Sequence, residues 1–126
     1  RIEPQVMNRL NANPEHIKRV QQGFYRVVNG SGTARAYYNG LNVAGKTGTA
    51  EVGRKGSGME NSLFVGYAPY DDPEIAFSIV VPNVRRNSAS GVTHQIGQDI
   101  VRAYYDLQDR PYTLNHTDRD QYSEAE

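Results

Sequence analysis

The 126-residue sequence contains no cysteine, which excludes a disulfide framework and any metal site built from thiolates. It also lacks an excess of charge, because 14 basic residues balance 14 acidic ones. Without a net field to gather polyanions, neither nucleic acid nor anionic lipid is an expected partner. The histidines His16, His94 and His116 are scattered without metal-ligand spacing, so we expect surface or capping roles for them and neither a metal nor a cofactor.

The sequence also lacks a long hydrophobic run. Hydrophobic residues make up 37% of the chain, less than is usual for a globular domain, which predicts a modest core. The longest apolar stretch, residues 79–81, is far too short to cross a bilayer, and no signal peptide is visible. The sequence begins with Arg1 rather than methionine. We therefore expect a missing N-terminal part, to which any membrane anchor would belong.

The first predicted helix begins at Asn13, where an asparagine cap is followed by proline and glutamate. It ends at residues 29–30, because the Asn-Gly pair tolerates the left-handed conformation of a C-cap. A short second helix is predicted to open at residues 32–34 and to run through residue 37, and the Asn-Gly pair at 39–40 ends it. Apolar residues at helical spacing predict one buried face of the first helix: Ile17, Val20, Phe24 and Val27.

The final helix is predicted from about residue 91 to residue 107. Gly97 inside it is a poor helix former, at a cost of about 1 kcal/mol relative to alanine, and indicates close packing against a neighbour. The sequence after residue 108 is polar with little to bury, so residues 109–126 are expected to form a disordered tail. The predicted buried side of the helix is Val92, Ile96, Ile100, Ala103, Tyr104 and Leu107.

Three strands are predicted between the helices, at residues 41–52, 62–69 and 74–82. A glycine-rich loop, 53–58, separates the first two, and a tight Tyr-Asp-Asp-Pro turn joins the last two into an antiparallel hairpin. A polar loop is predicted at residues 83–90. This order favours an α+β fold in which one antiparallel sheet is flanked by helices.

Residues 40–47 read Gly-Leu-Asn-Val-Ala-Gly-Lys-Thr and match the loop that cradles phosphate in nucleotide hydrolases. That loop must open a helix whose N–H groups face the phosphate. Residues 41–52 are strand-like instead, and no apolar strand ends in an aspartate placed to hold magnesium. A nucleotide hydrolase therefore remains a distant alternative.

As part of a strand, residues 46–49 (Lys-Thr-Gly-Thr) suit a peptide that ends in a free carboxylate. Alternate side chains of an edge-like strand face a groove, where Lys46 places a cation. Thr47 and Thr49 offer hydroxyls to the carboxylate, although both residues are also good strand formers. Gly48 leaves room for a ligand backbone to pair with the strand, and the N–H of Thr49 suits a developing oxyanion.

Residues 46–49 resemble the third motif, K-T-G, of penicillin-binding proteins and serine β-lactamases. Gly-Thr-Ala at 32–34, the segment at 43–51 and Phe-Val-Gly-Tyr-Ala-Pro at 64–69 are similar, in order and spacing, to class B penicillin-binding proteins. The resemblance covers roughly residues 4–108. It implies the fold shared by penicillin-binding proteins and serine β-lactamases.

By this resemblance, residues 1–108 are the C-terminal portion of a D,D-transpeptidase domain on the extracytoplasmic face of a bacterial membrane. Such a domain cross-links peptidoglycan stem peptides ending in D-Ala-D-Ala through a serine acyl-enzyme, and β-lactam antibiotics acylate it. The resemblance implies that Lys46 lies beside that serine, that Thr47 and Thr49 bind the terminal carboxylate, and that the Thr49 N–H is half of an oxyanion hole. A β-lactam-sensing or non-catalytic penicillin-binding domain is the alternative.

The family also requires an S-x-x-K motif and an S-x-N motif, and this sequence has neither. No serine is followed by lysine three residues on or by asparagine two residues on: Ser31, Ser57, Ser62, Ser78, Ser88, Ser90 and Ser123. We therefore expect the N-terminal part of the same protein to supply the nucleophile, its base and the rest of the oxyanion hole. The chain alone is expected to be inactive and to fold poorly.

Overall fold

The structure, a computed structural model, describes residues 3, 5–38, 40–86, 88 and 90–109. Its helices and strands follow the predicted order along the chain. They are α1 (Pro14–Asn29), α2 (Arg35–Tyr38), β1 (Ala44–Glu51), β2 (Met59–Ala68), β3 (Ile75–Arg85) and α3 (Ser90–Leu107). The predicted α+β fold, with one antiparallel sheet flanked by helices, is confirmed.

The boundaries of all three strands differ from the prediction, and β1 covers Ala44–Glu51 instead of residues 41–52. Met59 pairs with Arg85 across a register shift between Glu60 and Ser62, so β2 starts before residue 62 and β3 continues past residue 82. The polar loop predicted from residue 83 is therefore partly wrong, because pairing with β2 keeps the chain extended there. Residue 39 of the predicted helix break and residues 110–126 of the predicted tail lie outside the described residues.

The cap of α1 is the predicted one. The side chain of Asn13 accepts a hydrogen bond from the Glu15 N–H at 2.9 Å, and proline follows the cap directly. The predicted apolar face is only half right: Phe24 and Val27 pack partly against the core, but Ile17 and Val20 are 36% and 58% exposed. The end of α1, rather than its start, is hydrogen-bonded to the chain before β1. The most buried residues of α1 are accordingly Tyr25 and Val28.

The sheet has the order β1-β2-β3, and both pairings are antiparallel. Thr47 lies opposite Phe64, and Lys46 lies opposite Val65. Residues directly opposite one another share a face of the sheet, so Thr47 lies on the face that α3 covers and Lys46 lies on the opposite face. Val65 remains 45% exposed on that second face. Since β1 pairs with β2 alone among the described residues, it is an edge strand.

The face by which α3 contacts the sheet is rotated from the predicted one. Val92, Ile96, Ile100 and Leu107 were expected inside but are 54%, 40%, 36% and 84% exposed; Ala103 is also exposed, and Tyr104 is half-buried. Gly97 explains the rotation, because a Cβ there would overlap the Tyr38 hydroxyl and lie 3.2 Å from Ile79 Cδ1. The close packing predicted for this glycine is therefore confirmed. The buried positions of α3 are Thr93, His94, Gly97, Val101 and Tyr105.

Phe64 lies at the centre of the main core, between the sheet and the helices. Its ring is stacked on Tyr38, with centroids 4.9 Å apart, and meets His94 edge-on at 5.3 Å. Phe64 is thus a packing residue of the core. The main core consists of Val28, Ala34, Tyr38, Leu41, Val43, Phe64, Ala68, Ile79, Val101 and Tyr105. Within the described ranges, no helix combines the length and apolar character that crossing a bilayer requires.

Candidate functional site

All four residues of the Lys-Thr-Gly-Thr segment lie on the edge strand β1, as the sequence predicts. Lys46 and Thr49 are exposed, and Thr47 and Gly48 are half-buried. One edge of β1 pairs with β2, and its outer edge has no strand partner in the described part of the chain. The backbone N–H and C=O groups on such an edge are available to an added extended peptide.

The phosphate-loop alternative does not fit this geometry. Lys46 and Thr47 lie within a strand, and residues 52–58 between β1 and β2 contain no helix. A phosphate loop presents several N–H groups from the first turn of a helix, and this segment has no such turn. The predicted match at residues 40–47 is therefore a coincidence of sequence.

The ammonium group of Lys46 is held over the backbone of the next residue. Its Nζ donates to the Thr47 carbonyl oxygen at 2.8 Å and lies 3.5 Å from Thr47 Oγ1. No carboxylate forms a salt bridge with Lys46 among residues 3–109 that the structure describes. The exposed positive charge is consequently available to an anionic ligand beside the Thr47 hydroxyl.

Thr33 is a residue of this site that sequence reasoning missed. Its Oγ1 lies 3.4 Å from Thr47 Oγ1, although Thr33 belongs to the turn between α1 and α2. The sequence marks the Gly-Thr-Ala segment at 32–34 only as part of a family resemblance. No local pattern shows that this turn approaches a strand that follows later in the chain, so tertiary structure was needed to find the contact.

The two glycines that flank Lys46 and Thr47 differ in what surrounds them. A Cβ on Gly45 would overlap the ring of Phe64 and lie 2.6 Å from the Val65 carbonyl oxygen. A Cβ on Gly48 would meet only the Leu63 side chain, at an ordinary 3.4 Å. Packing therefore requires glycine at position 45 but not at position 48, where the missing side chain leaves space along the strand.

The far end of β1 is joined to the following loop by a carboxylate. Glu51 Oε1 accepts a hydrogen bond from the Gly56 N–H at 2.9 Å, and Ser57 Oγ donates to the Val52 carbonyl at 2.8 Å. Thr49 lies opposite Ser62 in the register. Glu51 is thus a strand-end charge that holds the loop.

His94 is buried beside Phe64 and does not lie on the surface, where the sequence predicts it. It is 4% exposed, stacks on Tyr37 with centroids 4.6 Å apart, and its Nδ1 has no hydrogen-bond partner among the described residues. This burial lowers the pKa of His94 below its ordinary value, because desolvation disfavours the charged imidazolium. Burial likewise raises the pKa of the Tyr38 phenol.

Of the other predicted surface histidines, His16 is exposed on α1 and His116 lies outside the described residues. No group of three or more histidine, cysteine, aspartate or glutamate residues is placed to hold a metal ion in the part of the chain that the structure covers. The chemistry available at β1 is therefore that of one cation, hydroxyls and edge backbone groups.

A family model described as the penicillin-binding protein transpeptidase domain matches residues 1–102 of this chain. The chain is 38% identical over 109 residues to penicillin-binding protein 2B of Streptococcus pneumoniae, an alignment that covers 82% of this chain and 16% of the relative. It is 32% identical over 94 residues to the peptidoglycan D,D-transpeptidase MrdA of Acinetobacter baumannii, covering 64% of this chain and 14% of the relative.

The structure is also similar to a solved structure of penicillin-binding protein 2B from Streptococcus pneumoniae. The TM-score is 0.70 at 35% sequence identity, and the match covers 91% of this chain and 19% of that one. The two proteins are therefore similar in the arrangement of their helices and strands as well as in sequence. The chain spans less than a fifth of the length of each of these proteins.

Proposed function

Because this chain belongs to the penicillin-binding protein transpeptidase domain family, we propose that it forms the carboxylate-binding side of the active site of a peptidoglycan D,D-transpeptidase. The observation that carries the proposal is the position of Lys46, an exposed cation next to the Thr47 hydroxyl on an edge strand. A cation, hydroxyl donors and an open strand edge together suit a peptide that ends in a carboxylate.

In the proposed complex, a stem peptide ending in D-Ala-D-Ala lies along the outer edge of β1. The terminal carboxylate of this peptide accepts hydrogen bonds from the hydroxyls of Thr47 and Thr49. Gly48 leaves space for the backbone of the peptide. Lys46 adds positive potential beside the reacting serine. The N–H of Thr49 donates to the carbonyl oxygen that becomes negatively charged, which stabilises the tetrahedral intermediate.

The proposed reaction has two acyl-transfer steps. A serine oxygen, having given its proton to a lysine base, adds to the peptide carbonyl; the C–N bond then breaks and the terminal D-Ala leaves as the protonated amine. An amine of a second stem peptide attacks the resulting ester, and cleavage of the C–O bond restores the serine. β-Lactam antibiotics acylate the same serine in the first step.

The serine, its lysine and the S-x-N motif are absent from residues 1–126. We propose that the longer protein to which this chain belongs supplies them, in keeping with the small share of each relative that the chain spans. The location that follows is the extracytoplasmic face of a bacterial membrane, with peptidoglycan stem peptides as substrate.

Acylation by a labelled penicillin tests the proposal in the longer protein that carries these residues. Lys46→Ala is expected to lower the second-order acylation rate constant by about tenfold or more, the order expected when a charged group beside the reacting carbonyl is lost. Lys55→Ala, which removes an exposed lysine from the β1–β2 loop, is the matched control and should leave the rate unchanged. Equal rates for the Lys46 variant and wild type would overturn the role of Lys46.

A further inference from the structure

We propose that one end of the sheet binds an extended anionic polymer through three arginines, and that the groups they recognise are phosphodiesters. Arg54 lies in the loop between β1 and β2, and Arg85 and Arg86 lie at the end of β3. All three side chains are exposed, and we call them the arginine band. Lys46 lies five residues before Glu51 at this end of β1, about 17 Å along the extended strand. The inference therefore goes beyond the proposed function and does not depend on it.

Backbone pairing brings the members of the arginine band together from two parts of the sequence. Met59 lies opposite Arg85 in the register of β2 and β3. The Arg86 N–H donates to the Gly58 carbonyl at 2.8 Å, which ties the end of β3 to the loop that carries Arg54. The positive charges of the loop and of β3 consequently lie at the same end of the sheet.

Hydrogen bonds within the loop fix the backbone that carries Arg54. The Ser57 N–H donates to the Arg54 carbonyl at 2.9 Å, and Ser57 Oγ donates to the Val52 carbonyl at 2.8 Å. The Gly56 N–H donates to Glu51 Oε1 at 2.9 Å. An arginine on an ordered backbone is positioned before a ligand arrives, which reduces the entropy lost on binding.

Neighbouring carboxylates do not neutralise the arginine band. Glu60 is 8% exposed, and its Oε2 lies 4.0 Å from Arg86 Nε. In the part of the chain that the structure describes, neither Arg54 nor Arg85 forms a salt bridge. Like charges close together repel and reduce the stability of the fold, so folding does not account for this concentration of arginine. A bound anion would offset the repulsion locally, although the chain as a whole carries no net charge.

The arrangement of the arginine band suits an extended polymer better than a single small ion. Arg85 and Arg86 are successive residues of a strand, so their side chains point to opposite faces of the sheet. The positive charge therefore runs around the end of the sheet, where successive anionic groups of one polymer can meet separate arginines. Each guanidinium group can donate two parallel hydrogen bonds to the oxygens of one phosphate.

The composition of the loop favours a polyanion over a protein partner. Residues 53–58 are glycine, serine, arginine and lysine, so the exposed loop supplies no aromatic or aliphatic side chain. Protein interfaces depend on such side chains as anchors at their centre. Binding to a phosphodiester polymer depends instead on positive charge and the release of counterions.

The test measures the binding of synthetic poly(glycerol phosphate) to the longer protein at several salt concentrations. Arg54→Gln/Arg85→Gln removes two charges from the arginine band and leaves Arg86 with its ion pair. Arg19→Gln/Arg102→Gln removes two exposed arginines from α1 and α3 and is the matched control, because it changes the net charge equally. Melting temperatures of both variants separate loss of binding from loss of folding.

Wild type should bind with an affinity that falls as the salt concentration rises. Arg54→Gln/Arg85→Gln should bind about tenfold more weakly, and the slope of the logarithm of affinity against that of salt should decrease by about one for each arginine removed. The control variant should bind as wild type does. Arg54→Lys/Arg85→Lys keeps the charge but loses the forked donors, so its affinity should lie between those of wild type and the glutamine variant.

Four results would overturn the inference. Wild type that fails to bind the polymer would contradict it directly, and equal losses in the two glutamine variants would assign the binding to net charge. Polyglutamate bound as tightly as poly(glycerol phosphate) would indicate an acidic peptide as the partner. Binding to phosphatidylglycerol vesicles without binding to the polymer would indicate a membrane surface. Acylation by penicillin is measured separately, so none of these results decides the proposed function.

Discussion

At the scale of single residues, the site depends on which glycines the fold requires and which it leaves open. Gly45 is enclosed by Phe64 and the backbone of Val65, whereas Gly48 has only ordinary contact with Leu63 on its Cβ side. The first glycine serves the packing of the sheet. The second is not required by packing among the described residues, which agrees with the proposal that a ligand lies along the strand there.

This difference predicts opposite phenotypes for the two alanine substitutions. Gly45→Ala should destabilise the longer protein by about 1–3 kcal/mol, because the added methyl group forces the Phe64 ring to move. Gly48→Ala should change the free energy of unfolding little but slow acylation by a labelled penicillin. Denaturant unfolding and acylation rates, measured on both variants, check the prediction; a stable Gly45→Ala protein would contradict the packing argument.

The burial of His94 predicts how the stability of the folded protein changes with pH. Its pKa is lowered in the folded state, so the unfolded state binds the proton more readily. The contribution of neutral His94 to the free energy of unfolding is therefore fully present above the ordinary histidine pKa of about 6.5. This contribution decreases as the pH falls through and below that value. The cause is the burial of its ring among Tyr37, Tyr38 and Phe64.

The measurement is denaturant unfolding of the longer protein between pH 7.5 and pH 5, about the ordinary histidine pKa. His94→Phe should flatten the loss of stability at acid pH, since phenylalanine has no proton to bind. His16→Gln, on the exposed surface of α1, is the matched control and should keep the wild-type profile. Identical pH profiles for wild type and His94→Phe would contradict this account of His94.

At the scale of elements, the rotation of α3 is set by one glycine contact. Gly97 faces the Tyr38 hydroxyl so closely that any side chain there would overlap it. Gly97→Ala should destabilise the protein by roughly 1–3 kcal/mol, in spite of the higher helix propensity of alanine.

Gly23→Ala in α1 is the control, because nothing lies within 4 Å of its Cβ position and alanine should stabilise that helix. Thermal melting of both variants distinguishes the two effects, and a stabilised Gly97→Ala protein would contradict the assigned contact.

The sequence predicts the order and type of the elements because the signals for them are local. The Asn13 cap, the turn before β3 and the alternation along β3 each lie within a few residues. The face that α3 buries is not local, since a helix with apolar residues on several sides can rotate by one position. The contact between Gly97 and Tyr38 decides that rotation, and it forms only when α2 and α3 meet.

The same reasoning explains what could be predicted of the site. Residues 46–49 form a contiguous motif, so their strand position and exposure follow from the sequence. Thr33 reaches Thr47 from 14 positions earlier in the chain, through a turn fixed by the burial of Ala34. His94 was predicted to have a surface or capping role because the histidines are scattered without metal-ligand spacing, and its burial depends on the aromatic rings that α2 and β2 bring around it.

At the scale of the whole molecule, the chain leaves several apolar residues exposed on two sides. Val65 and Val80 lie on the face of the sheet opposite α3, at 45% and 51% exposure, while Val92 and Ile96 lie on the outer side of α3. The relatives to which the chain is similar are several times longer. Both facts agree with the proposal that residues 1–126 work as part of a larger domain.

The most direct measurement of the central claim is turnover of stem peptides by the longer protein. Peptides ending in D-Ala-D-Ala are supplied together with an acceptor amine, and released D-Ala and cross-linked product are quantified by mass spectrometry. We expect wild type to yield both products in equal amounts and Lys46→Ala to yield about tenfold less of each. Acylation by penicillin without any cross-linked product would contradict the transpeptidase function and favour a β-lactam-sensing or non-catalytic penicillin-binding domain instead.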